Sequence, residues 1–128
     1  MDPRSAAVEV PRAIALALAK VGENVAGIGA IKRLRERYAA TISQRSRFTI
    51  DVDALELGYI AVHKEHQGQK LSGRIVAILL TAVQQRPLFA TTDDDRMKRT
   101  LLNAGFEKKG EEWAGERGRL SLWILRTK

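Results

Sequence analysis

The run from Ala54 to Leu80, ALELGYIAV then HKEHQGQKLSG then RIVAILL, restricts the fold more than any other part of the chain. Its first nine residues are apolar almost throughout, with a single acid, Glu56, inside them. A strand with no polar alternation reads as covered on both faces. Residues 72 to 85 then place Ile75, Ile78, Leu79 and Ala82 at i, i+3, i+4 and i+7, the spacing of a helix with that stripe on the core, and Pro87 stops it. A doubly covered strand followed by a turn and an apolar helix calls for a sheet with helices on both faces.

The remaining segments fit such a sheet. AIALALAK (13 to 20) alternates Ile14, Leu16 and Leu18 with alanines, VGEN offers a turn, and VAGIGAIK (25 to 32) resumes the apolar run, so a β-hairpin is expected. The alanines and Pro11 leave a helix from Pro11 open as the alternative. RLRERYAATISQ (33 to 44) is helical in composition and PLFATT reads as a short buried strand. DDDRMKRTLLNAGF opens on helix-capping aspartates, puts Met97, Leu101 and Ala104 on one stripe and closes on Gly105, a good residue just past a helix end. The C-terminal FEKKGEEWAGERGRLSLWILR reads as a hairpin with Leu120, Leu122 and Ile124 on one face and Trp123 on the other. The order ββαβαβαββ gives the expected class: mixed α/β, a central mixed and mostly antiparallel sheet flanked by helices.

Composition narrows the function. With 128 residues, 45% of them hydrophobic, residues 1–128 are expected to form one domain with an ordinary core. The absence of cysteine excludes disulfides, thiolate metal clusters and cysteine nucleophiles. No apolar run approaches the ~20 residues that cross a bilayer, and MDPRSAAVEV has no basic region ahead of an apolar one, so no membrane partner and a cytoplasmic location are expected. The net charge of +7 favours an anionic partner. Between Ile31 and Ile50 six cations, Lys32, Arg33, Arg35, Arg37, Arg45 and Arg47, face one acid, Glu36; this is a solvated helix face or a patch for nucleic acid or an acceptor. His63 and His66 have no second ligand at metal spacing, Asp93, Asp94 and Asp95 read as helix-capping acids, and Trp113 and Trp123 as packing anchors.

The loop between strand and helix carries the chemistry. A helix N-terminus exposes about four unpaired N–H groups and the positive end of the macrodipole, and a turn that Gly68 and Gly73 permit can aim more amides at the same spot. That is an anion site, although a strand, turn and helix also occur as a plain connection.

Taken as a whole, LELGYIAVHKEHQGQKLSGRIVAILL with the later FATTDDDRMKRTLLNAGF resembles the GNAT superfamily of acyl-CoA-dependent N-acetyltransferases. That family writes the loop Q/R-x-x-G-x-G/A; Gln67 opens it in register here, Gly105-Phe106 matches the Gly-Phe pair that ends the later helix, and GIGAIK is similar to the family's third strand. The likeness spans roughly residues 12 to 127. Lys70 and Ser72 stand where the loop has small residues, Asp94 replaces a helix-start asparagine, Leu101 stands where a tyrosine acid is common, and about a dozen residues precede the first hairpin strand, a shortened front end.

The resemblance implies acetyl-CoA as co-substrate and a primary amine, on a small molecule or a protein, as acceptor. Its pyrophosphate would rest on Gln67, Gly68, Gln69, Lys70, Leu71, Ser72, Gly73 and Arg74, and its pantetheine arm would pair with Ile60, Ala61 and Val62. Glu56 matches the position of a general base, and an acid inside an apolar strand titrates high unless paired, here with a nearby Arg35 or Arg37. Tyr59 faces either the acceptor or the core. A short front end also makes a homodimer that completes the acceptor pocket an expectation.

Overall fold

The structure, a computed structural model, describes residues 13–67, 71–83 and 86–126. Its strands are β1 (Ala13–Val21), β2 (Asn24–Lys32), β3 (Leu55–Val62), β4 (Leu88–Thr92), β5 (Glu107–Ala114) and β6 (Arg119–Leu125). Three helices accompany them among the described residues: α1 (Glu36–Ser46), α2 (Leu71–Ala82) and α3 (Asp95–Asn103). Hydrogen-bonded neighbours run β1-β2-β3-β4-β6-β5. The hairpins and the β4–β6 pair are antiparallel and β3–β4 is parallel, so the sheet is mixed and mostly antiparallel, as the element order requires. The segment after Pro11 is a strand; its alternating apolar positions prevail over the helix propensity of its alanines.

Contacts gather the chain into two compact units, residues 1–33 with 57–84 and residues 34–56 with 85–128. In the first, α2 lies on β1 and β2. Two glycines make that approach close: a Cβ on Gly27 would come within 2.9 Å of Ile75 Cδ1, and one on Gly29 would run into Ile75 Cγ2 and stand 2.6 Å from Ile60 Cδ1. The helix buries Leu71, Ile75, Val76 and Leu79, and Val83 just past its end is buried too. The core stripe is therefore rotated from the expected one. Ile78 is 59% exposed, and Ala82 is exposed too. An apolar residue on nearly every side leaves the facing side to be chosen by where the sheet offers room, and the room is at Gly27 and Gly29.

The second unit is built on Phe89, Leu122, Ile124 and Trp113, covered by Ala39 and Ile42 of α1 with Ile50 and Ala54. Trp123, pointing opposite to its neighbours Leu122 and Ile124, is also buried, so β6 is covered on both faces. Asp94 caps α3 by accepting from the Arg96 N–H at 2.9 Å. At the other end Gly105 takes φ 99°, while Phe106 N–H donates to Leu101 C=O (2.9 Å) and Gly105 N–H to Leu102 C=O (3.0 Å), a Schellman stop with Leu101 and Phe106 both buried. The Gly-Phe pair thus has a local physical reason. Met97 is half-buried and Leu101 fully buried on the expected stripe.

Candidate functional site

At its start α2 buries Leu71 and Ile75. Ser72 is half-buried, and Gly73 and Arg74 are exposed. The first turn contains no acid. The first N–H groups of an α-helix have no acceptor within it. A Cβ built on Gly73 meets nothing within 4 Å, so the space over this backbone is open. Gly68, Gln69 and Lys70 lie outside the described residues.

The strand that leads into this turn is tied down at its end. His63 N–H donates to Ala26 C=O at 2.6 Å, fastening the chain to β2. The His63 ring accepts from Glu65 N–H through Nδ1 (3.2 Å), starting a 3₁₀ turn at Lys64–His66, and Gln67 Nε2 donates to Val62 C=O at 3.3 Å. His63 therefore serves the turn. Gln67, expected to open the loop, is thereby tied to the strand end. Ile60, Ala61 and Val62 are half-buried at the same end of β3; Tyr59 lies one residue earlier on the strand.

Glu56 sits near the start of β3, within the second unit, and is 5% exposed. It is not alone in its apolar strand: Arg35 Nη2 donates to both carboxylate oxygens, at 3.1 and 3.5 Å. Of the two arginines weighed from sequence, Arg35 is the partner. Its guanidinium carbon lies 4.2 Å from the centre of the Tyr38 ring, a cation–π contact, and the Tyr38 hydroxyl is 3.0 Å from Thr91 Oγ1. Burial pushes the Tyr38 phenol above its ordinary range, with the nearby Glu56 charge adding to it; the Thr91 hydrogen bond and Arg35 act the other way. The phenol is therefore neutral at physiological pH. β3 pairs with β4 in parallel at Leu55↔Leu88 and Glu56↔Phe89.

The sequence-expected residues thus fall into two groups. Ile60, Ala61, Val62, Gln67, Leu71, Ser72, Gly73 and Arg74 gather at the β3 end and the α2 start, and Glu56 gathers with Arg35, Tyr38 and Thr91. Tyr38 and Thr91 escaped the sequence reading because 53 positions separate them and no local pattern joins them. The basic segment is not one solvated face: Lys32 is 7% exposed and Arg35 is committed to Glu56, leaving Arg33, Arg37, Arg45 and Arg47 exposed. Among the described residues no three of His, Asp and Glu form a metal-binding group, and none of the helices is long and apolar enough to cross a membrane.

No protein-family model and no curated protein matches the sequence. Solved structures do match. An acetyltransferase of the GNAT family from Streptococcus agalactiae 2603 superposes with a TM-score of 0.69 over 87% of this chain and 64% of its own, at 14% identity. The fold is that of the GNAT acetyltransferases. An N-acetyltransferase from Staphylococcus aureus Mu50 shares this GNAT fold (TM-score 0.63, 13% identity, 86% of this chain and 69% of that one). So does yncA from Salmonella typhimurium, solved with its cofactor acetyl-CoA (TM-score 0.62, 15% identity, 88% and 64%). The chain spans about two thirds of the length of these GNAT-fold structures.

Proposed function

We propose that this protein transfers an acetyl group from acetyl-CoA to a primary amine. The observation that carries the proposal is the strand-to-helix junction from β3 to α2. An acid-free helix start, with open space over Gly73 and Arg74 exposed beside it, suits a diphosphate. The N–H and C=O groups of residues 60–62, at the end of β3, would pair with the amides of a pantetheine arm in the manner of an added strand.

Bound acetyl-CoA would supply an activated acyl carbon and a thiol leaving group whose pKa, about 8.5 by analogy with cysteine, lets it depart with little help. A Leu101 in place of a tyrosine acid is compatible with that chemistry. Leu101 is fully buried in the α3 core and donates nothing. What the chain itself has to supply is proton removal from the amine, and the Glu56 carboxylate is the base we assign to it. As the nitrogen bonds the acyl carbon, its proton passes to Glu56 or to a water that Glu56 holds, and the C–S pair leaves with the thiol. The Tyr59 side chain, expected to face either the acceptor or the core, lies outside the described residues.

The test measures two things separately. Thioester consumption with an amine panel should fall about 10²–10⁴-fold in Glu56→Gln, the usual worth of a general base, while CoA affinity measured by calorimetry stays within a few fold of wild type. Unchanged turnover in Glu56→Gln would remove Glu56 from the mechanism. Wild-type protein that binds no CoA would remove the proposal itself.

A further inference from the structure

A buried glutamate and a partly exposed arginine, side by side, form an ordered pair of opposite charges. The Glu56 side chain is 7% exposed, whereas the Arg35 side chain is 36% exposed and can meet a ligand. Arg35 commits only Nη2 to Glu56, although a guanidinium has five N–H donors in a planar fork. Its Nε is buried with no acceptor among the described residues. The η-nitrogen donors that Arg35 does not give to Glu56 are left for an incoming acceptor oxygen. The Tyr38 ring at 4.2 Å holds the plane of the fork, and Thr91 holds Tyr38 by its hydroxyl. Arg35 is thus a rigid, half-used carboxylate receptor directly beside the proposed base.

We infer that the acceptor is an amino acid, in which a carboxylate stands a few bonds from the reacting amine. This rests on the reading of Glu56 as the base. The acceptor's carboxylate takes the unused donors of Arg35 as its ammonium docks on Glu56, so each charge of the ligand meets its opposite. A bidentate guanidinium–carboxylate contact fixes the acceptor's orientation as well as its position. The same exchange loosens Arg35 from Glu56 when the acceptor arrives, freeing carboxylate lone pairs for the proton. An amine without a carboxylate leaves Arg35 clamped on Glu56.

The experiment compares the standard L-amino acids with their α-carboxamides, as acceptors with acetyl-CoA and as ligands in calorimetric titrations. Amidation lowers the pKa of the amine and so favours the carboxamide on intrinsic reactivity. A preference for the acid runs against that trend and reports recognition. The expected result is at least one amino acid that binds and reacts about tenfold or more better than its carboxamide, with the preference falling to near unity in Arg35→Gln. Arg35→Lys keeps the charge against Glu56 and hence the fold, but lacks the fork, and should lose most of the preference. Equal handling of acid and carboxamide by the wild type, or binding of neither, overturns the inference. CoA binding, measured apart, reports on the acyl-transfer reading: a protein that binds CoA and turns over simple amines without regard to a carboxylate keeps that reading and loses this one.

Discussion

Tyr38 holds its proton because ionising it would place a phenolate in a half-buried site near the Glu56 carboxylate. Its folded-state pKa lies above the unfolded value of about 10, so its contribution to stability is fully present below that pH and is lost as pH rises through the higher folded pKa. Alkaline unfolding followed by circular dichroism should therefore show a stability loss above about pH 10 that is smaller in Tyr38→Phe. At neutral pH the same variant should be destabilised by about 1 kcal/mol for the lost Thr91 hydrogen bond. An identical alkaline limb in both proteins would show that Tyr38 is not the group responsible. The Arg35–Tyr38–Thr91 arrangement shows where residue-level reading from sequence stops: Glu56 was visible as the odd acid in an apolar strand, but its setting depends on residues 21 and 35 positions away in opposite directions along the chain, Arg35 and Thr91.

At the scale of elements, two glycines have opposite roles that substitution separates. Gly29 in β2 lets α2 approach, and a methyl there would meet Ile75, Ile60 and Leu79. Relief of glycine's backbone entropy would return about 0.5–1 kcal/mol, whereas overpacking costs about 1–3, so Gly29→Ala should lower stability in a denaturant titration. Gly73 sits in the first turn of α2 over open space, so Gly73→Ala should stabilise by up to about 1 kcal/mol. Gly73→Asp adds an acid that a helix N-terminus welcomes, by about 0.3–1 kcal/mol, yet sets a carboxylate where a diphosphate would lie. Its fold should survive and its CoA binding should not. The β1–β2 hairpin, the α2 helix and the capped α3 helix were legible because period-2 alternation, apolar helical spacing and the Asp and Gly stop signals are local. The face that α2 buries was not, because a helix apolar nearly all round leaves the choice to the glycines it meets.

For the whole molecule, the charge of +7 admits a nucleic acid as readily as a nucleotide-bearing cofactor. The structure distributes that charge: Lys32 is withdrawn from solvent, Arg35 pairs with Glu56, and Arg47 is 3.4 Å from Glu111, while the strand-to-helix junction keeps Arg74 exposed beside acid-free amides. The GNAT fold supplies the same strand-to-helix junction that the sequence pattern of residues 54 to 80 suggested. The measurement that bears most directly on acyl-CoA binding at this junction is a calorimetric titration of the wild type and Gly73→Asp with coenzyme A, with thermal unfolding of both recorded alongside. The account predicts saturable binding by the wild type and at least about tenfold weaker binding by Gly73→Asp at an undiminished unfolding temperature; no binding by the wild type, or equal affinity in the two proteins, would contradict it.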